Sequence, residues 1–145
     1  MRFCSLSSVD KSGYMAKKKV LVIEDHRDTL AIYLIVLERS GFDVKLAWSG
    51  EKGLEEFVAW KPDVVVLDMM LPEMTGLEVL QRIRELGSDV PVVAATASIK
   101  PIVRDLCREL NVNSFLAKPF DFDQLITSVR AVLNMPEREV TSAVE

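Results

Sequence analysis

The sequence predicts an open α/β domain, a parallel sheet with crossover helices packed on its faces. Three observations lead there. From Val20 onward, short β-branched runs alternate with longer amphipathic stretches, five pairs in all, as in any parallel sheet joined by helices. Three of the short runs are almost continuously apolar, which suits strands covered on both faces. Punctuation falls between the stretches: Gly41 and Gly87 stand where helices should stop, and Asn111 tolerates a left-handed C-cap better than other non-glycine residues.

The strands are predicted at Lys19–Ile23, Asp43–Ala47, Val64–Leu67, Val92–Ala95 and Ser114–Leu116. The first helix carries Leu30, Tyr33, Leu34 and Leu37 at helical spacing, and the second carries Leu54, Phe57 and Val58. Leu77, Leu80 and Ile83 mark the third. The fourth, from about Pro101 to Leu110, is the least regular; Pro101 suits a first-turn position whose N–H has no helical partner. The fifth has a wide stripe of Leu125, Ile126, Val129, Val132 and Leu133.

Composition bounds the function. The chain has 145 residues, 18 Lys+Arg against 22 Asp+Glu for a net charge of −4, 49% hydrophobic and 28% charged residues. These proportions fit one soluble globular domain with a full core. Charges interrupt every apolar run well short of the roughly 18 residues of a membrane span. No basic block exceeds Lys17-Lys18-Lys19, so direct binding of nucleic acid is not expected. Cys4 and Cys107 form neither a disulfide framework nor a zinc spacing. The N-terminus lacks the apolar centre of a secretory signal, and a cytoplasmic location is the expectation. Residues 1–17 read as a flexible leader, 18–134 as the domain and 135–145 as a short tail.

In such a sheet the ligand site lies beyond the carboxyl ends of the strands. Glu24-Asp25-His26 come after the first strand, Asp68-Met69-Met70 after the third, Thr96-Ala97-Ser98 after the fourth and Lys118-Pro119 after the fifth. Carboxylates stand where a nucleotide-binding loop needs glycines. Glu24 and Asp25 facing Asp68 concentrate negative charge that a hard cation relieves, and Mg²⁺ is its natural occupant. Read singly, Asp25 also suits a helix N-terminus, Asp68 a turn, Lys118 the surface and Thr96 a strand end. Together they supply a cation site, an isolated carboxylate, a hydroxyl and an ammonium, without a general base or an alcohol or thiol nucleophile. That inventory suits acceptance of a phosphoryl group by a carboxylate.

Four segments carry a family resemblance: Lys19-Val20-Leu21-Val22-Ile23-Glu24-Asp25; Pro62 to Leu80, with Leu67-Asp68-Met69-Met70-Leu71-Pro72 at its centre; Pro91-Val92-Val93-Ala94-Ala95-Thr96-Ala97; and Phe115-Leu116-Ala117-Lys118-Pro119-Phe120. In this order and spacing they resemble the receiver domain of two-component response regulators, over about Lys18 to Leu133. The resemblance implies a flavodoxin-like, doubly wound sheet of five parallel strands in the order 2-1-3-4-5. It implies Asp68 as phosphoacceptor, Glu24, Asp25, Asp68 and the Met70 carbonyl around Mg²⁺, and Lys118 on the phosphoryl oxygens. It also implies a cis Lys118–Pro119 peptide, and Thr96 and Phe115 as a switch pair, with plain core packing the alternative for Phe115. Output falls to the fourth helix, fifth strand and fifth helix.

The implied partners are a sensor histidine kinase or phosphotransfer protein and a downstream protein, with room for a phosphorylation-linked homodimer. On this reading the chain is a signalling switch and not an enzyme beyond its own phosphorylation and dephosphorylation. Ala94, Ala95 and Asn111-Val112 depart from the family's usual pattern, and the resemblance places Met70 and Ser98 at positions that the family uses to tune phosphoryl lifetime. His26, the only histidine, reads as an exposed loop residue entering the first helix. Cys107 reads as core filler, and Trp48 and Trp60 as packing or edge residues. Two other readings compete: a pseudo-receiver acting as a phosphorylation-independent interaction or dimerisation module, and a haloacid-dehalogenase-type phosphatase, disfavoured by Met70 where its general acid belongs.

Overall fold

In the computed structural model, residues 16–97 and 100–134 are described; Cys4 and Ser98 lie outside them. Five strands, β1 (Lys19–Ile23), β2 (Asp43–Ala47), β3 (Val64–Asp68), β4 (Val92–Thr96) and β5 (Ser114–Ala117), alternate with five helices. The helices are α1 (Arg27–Arg39), α2 (Gly50–Trp60), α3 (Gly76–Glu85), α4 (Pro101–Glu109) and α5 (Phe122–Val132). All strand pairs are parallel, in the order β2-β1-β3-β4-β5. The order reverses between β1 and β3, which opens the crevice at their carboxyl ends.

The pleat divides the core in two. Val20, Val22, Val64, Val66, Val93 and Leu116 face α1 and α5 through Leu30, Tyr33, Leu37, Leu125 and Val129. Leu21, Ile23, Val65, Leu67, Val92 and Ala94 face α2, α3 and α4 through Phe57, Val79, Leu80, Ile83 and Cys107. β3 and β4 are buried along their whole length.

Three strands run one residue further than hydropathy alone predicts. Asp68 stays in register with Ala95, and Thr96 with Ala117. The ladder continues beyond them, from Met69 N–H to the Ala95 carbonyl (3.1 Å) and from Lys118 N–H to the Thr96 carbonyl (2.8 Å). Asp68 and Thr96 are therefore held by sheet hydrogen bonds and not by loops.

Val58 corrects the expected stripe of α2, for it is exposed while Gly50, Gly53 and Phe57 form the buried face. A Cβ on Gly53 would collide with the Ile23 side chain, so the helix approaches β1 more closely than any larger residue allows. Gly41, Gly87 and Asn111 have the expected positive φ, at 95°, 86° and 61°. α3 and α5 begin with reciprocal capping boxes, Thr75 with Glu78 and Asp121 with Gln124. Pro101 occupies the first turn of α4, as its missing N–H favours.

Candidate functional site

The apolar interior of β1 and β3 ends abruptly in acid. Glu24 directly succeeds β1 and is 1% exposed, anchored by its N–H to the Ala47 carbonyl at 3.0 Å. Asp68 closes β3 and is 4% exposed. Lys118, two residues beyond the last buried position of β5, reaches back across the rim. Its Nζ lies 2.9 Å from Glu24 Oε1 and 3.4 Å from Asp68 Oδ2. The Lys118–Pro119 peptide is cis.

The remaining oxygens have distinct partners. Met70 N–H donates to Asp68 Oδ1 at 2.9 Å, so Met70 meets the site through its backbone while its side chain is exposed. Glu24 Oε2 accepts from the His26 backbone N–H at 3.2 Å and lies 3.1 Å from His26 Nδ1. His26 Nδ1 is also 3.4 Å from Asp25 Oδ1. That Asp25 oxygen is buried without a hydrogen bond. Ligating atoms of Glu24, Asp25 and His26 all lie within 4.8 Å of one another, and Asp68 joins this group through Lys118.

One ammonium shared by two buried carboxylates leaves negative charge over. Burial pushes the Asp68 carboxyl above its ordinary value, and the Glu24 carboxylate beside it adds to the rise against the Met70 N–H. Burial acts on Glu24 the same way, but hydrogen bonds from Lys118 and His26 outweigh it and hold that carboxyl below its ordinary value. Desolvation opposes the charge on Lys118, yet the two carboxylates raise its ammonium pKa on balance. Burial, reinforced by Glu24 and Asp68, also pushes the Tyr33 phenol far up.

Thr96 is buried at the end of β4, and Phe115 is half-buried in register with Ala94. Both lie on the sheet face that carries α4, with the Arg104 guanidinium 4.7 Å above the Phe115 ring. The site thus brings Glu24, Asp68 and Lys118 into direct contact, adds Asp25 through His26, and places Thr96 and Phe115 along one face.

Two participants escaped sequence reasoning. His26 is exposed, as expected, and is the N-cap of α1, but it makes no side-chain cap and turns its ring onto the carboxylates. The contiguous Glu24-Asp25-His26 triplet was the available signal. Gly76 is the second: a Cβ there would stand 2.6 Å from the Asp68 carbonyl oxygen and 2.6 Å from Met69 Cα. Its place in the run from Leu71 to Gly76, just after the acceptor loop, was the only hint.

Comparison with known proteins agrees with this geometry. Similar solved structures include the receiver domain of a response regulator from Clostridium thermocellum (TM-score 0.76, 27% identity, 81% of this chain and 94% of that one). Chemotaxis protein CheY4 of Vibrio cholerae, at 24% identity and TM-score 0.77 over 81% of this chain and 99% of that one, shares the fold. Among curated relatives, the alkaline phosphatase synthesis transcriptional regulatory protein PhoP of Bacillus subtilis is 35% identical over 120 residues, 83% of this chain and 50% of PhoP. Response regulator MprA of Mycobacterium ulcerans is 32% identical over 127 residues, 88% of this chain and 55% of MprA. The chain thus spans about half the length of the curated relatives it matches. No described helix is long and apolar enough to cross a membrane. The model of the response regulator receiver domain matches residues 20–130, the span that holds every strand but the first residue of β1 and nearly all of the helices, so the chain belongs to that family of two-component signalling domains.

Proposed function

We propose that the domain accepts a phosphoryl group on Asp68 from a phosphohistidine of a sensor kinase or phosphotransfer protein, with Mg²⁺ as cofactor. The observation that carries this reading is Lys118 Nζ standing between Glu24 and Asp68 at 2.9 and 3.4 Å. A carboxylate with an ammonium beside it and a cation pocket at its flank is equipped to attack phosphorus and to neutralise the transferred charge.

The donor set fits a hard divalent ion. Asp25 Oδ1 is buried and lacks a hydrogen bond, and Glu24 and Asp68 share a single ammonium, that of Lys118. These three side chains and the Met70 carbonyl would hold it. When bound, Mg²⁺ supplies positive charge for the phosphoryl oxygens. Lys118 orients Glu24 and faces Asp68 Oδ2, while the Met70 N–H holds Oδ1 and fixes the plane of the carboxylate. In the transfer the P–N bond to the donor imidazole breaks, its electron pair returns to nitrogen, and a P–O bond forms at Asp68.

The new acceptor oxygens then attract the Thr96 hydroxyl, and movement of Thr96 leaves space on the face that Phe115 shares. That exchange biases an existing equilibrium toward a conformer whose α4–β5–α5 surface binds a downstream protein or a second copy. The domain would occupy residues 18–134 and act in the cytoplasm.

Intact-mass analysis after incubation with a small phosphoryl donor, with and without Mg²⁺, tests the reading. The expected result is one phosphoryl adduct that requires Mg²⁺ and is lost in Asp68→Asn. An adduct that persists in Asp68→Asn, or none with both donor and kinase present, overturns it.

A further inference from the structure

We propose that His26 makes the acidic pocket a site for a borderline, imidazole-binding divalent ion such as Zn²⁺, with Nδ1 of His26 and carboxylate oxygens of Glu24 and Asp25 as ligands. The inference rests on the reading of this rim as a cation pocket, and extends it to a second class of metal in competition with the first.

Existing contacts decide which atoms are available. Glu24 Oε1 is held by Lys118 at 2.9 Å, which leaves Oε2 to face the opposite way. Oε2 meets His26 Nδ1 at 3.1 Å, and the same nitrogen lies 3.4 Å from Asp25 Oδ1. Ligands about 2.0–2.2 Å from a tetrahedral ion stand roughly 3.3 Å apart. The imidazole nitrogen therefore already stands at ligand spacing from both carboxylate oxygens, and all three donors lie within 4.8 Å of one another. Asp25 Oδ1 is buried with no hydrogen bond, an acceptor that the fold leaves for a cation.

The ring is also free to serve. As the N-cap of α1, His26 makes no side-chain bond to the helix, so no capping interaction is lost when Nδ1 turns to a metal. Its side chain is 74% exposed, so Nε2 can stay hydrated.

Metal chemistry separates the two classes of ion. Mg²⁺ prefers oxygen, keeps several waters and gains little from an imidazole. Zn²⁺ and its neighbours bind imidazole strongly, and affinity at mixed nitrogen and oxygen sites rises toward them along the first row. Because Glu24 and Asp25 serve both, the two ions exclude each other. The transition metal would thereby withdraw the carboxylates on which Mg²⁺ at the acceptor depends.

The test uses the whole chain, freed of any polyhistidine tag, titrated with zinc chloride and separately with magnesium chloride. His26 is the only histidine, so its ring resonances report the site without ambiguity. The expected result is that Zn²⁺ shifts those resonances, that His26→Ala and His26→Gln weaken Zn²⁺ binding at least about tenfold, and that Mg²⁺ affinity changes less than about threefold. Excess Mg²⁺ should displace Zn²⁺. Unmoved ring resonances, equal Zn²⁺ affinity in the variants, or, in a chain that binds Mg²⁺, Zn²⁺ that excess Mg²⁺ does not displace each overturn the proposal. A wild-type chain that responds to Zn²⁺ through His26 but does not bind Mg²⁺ sinks the magnesium reading and leaves the imidazole ligand standing.

Discussion

The two rims of the sheet both carry partly or fully buried charge, and they treat it in opposite ways. At the amino ends of the strands the Arg84 guanidinium donates to four backbone carbonyls, those of Leu110 (2.7 Å), Ser88 (3.1 Å), Val90 (2.8 Å) and Asn111 (3.0 Å). Arg130 donates to the Ser40 carbonyl at 2.9 Å and lies over Phe42. There a cation serves neutral acceptors and ties the ends of α3 and α4 to the strands that come after them. At the carboxyl ends two buried carboxylates share one ammonium, and a third carboxylate has a buried oxygen without a hydrogen bond. The first arrangement directs its cations to backbone carbonyls and fastens the fold; the second holds carboxylate charge in excess and is poised to take a cation or a phosphoryl group. Local frustration of this kind is concentrated where a fold does its chemistry.

The sharpest way to break the comparison is Arg84→Met. Four carbonyls lose their donor, which should lower unfolding stability by about 2–4 kcal/mol even after water replaces part of the loss. Chemical denaturation measures the change. Phosphoryl adduct formation by the folded fraction should stay at the wild-type level, since the other rim is untouched. Loss of the adduct without loss of stability would show that the two rims are not separable.

A pair of alanine substitutions sharpens it further. Gly76 lies so close to the acceptor loop that a Cβ would stand 2.6 Å from backbone atoms of Asp68 and Met69, with little freedom to yield. Gly76→Ala should cost about 1–3 kcal/mol and depress adduct formation together with stability. Gly87, at φ 86°, has nothing near its would-be Cβ. Gly87→Ala therefore strains only its own backbone conformation, by about 1 kcal/mol, and leaves the adduct unchanged. Equal effects of the two on the adduct would remove the special place given to the acceptor loop.

The same contrast explains how much of the molecule was legible in the sequence. Five strands and five helices could be read because β1, β3 and β4 are continuous apolar runs and Gly41, Gly87 and Asn111 end α1, α3 and α4, whereas the left-handed cap of α2 falls on Lys61, which gives no such signal. Strand ends were misjudged by one residue because Asp68 and Thr96 are polar, while the ladder that retains them depends on neighbouring strands. The buried face of α2 was hidden because two of its three buried residues are glycines, which carry no hydrophobic signal, and Val58 stood in their place. At the site, the meeting of Glu24, Asp68 and Lys118 could be read from the residues just past the strand ends. The division of Lys118 between two carboxylates, and the return of the His26 ring onto Glu24, depend on rotamers and on contacts that span as many as 94 positions. Only the folded chain fixes those.

The smallest effect is also the most direct measure of frustration at the acceptor. Asp68→Asn keeps the shape of the side chain and removes one of the two carboxylates that share Lys118, leaving Glu24 with an undivided partner. The folded Asp68 carboxyl titrates above its ordinary value, chiefly through burial and the nearby Glu24 charge. A raised carboxyl pKa favours the protonated folded state, so that stability is fully present below the unfolded value and is lost as pH rises through the folded one. Once pH exceeds the folded value the native chain has lost it, whereas asparagine is neutral throughout. In magnesium-free buffer Asp68→Asn should therefore be more stable than wild type by on the order of 1 kcal/mol at neutral pH. The difference should shrink on acidification, as the native carboxyl takes up its proton. Thermal unfolding of both chains across this range measures it; a variant that is less stable at neutral pH would mean that the Asp68 carboxylate holds the rim together and is not the charge in excess.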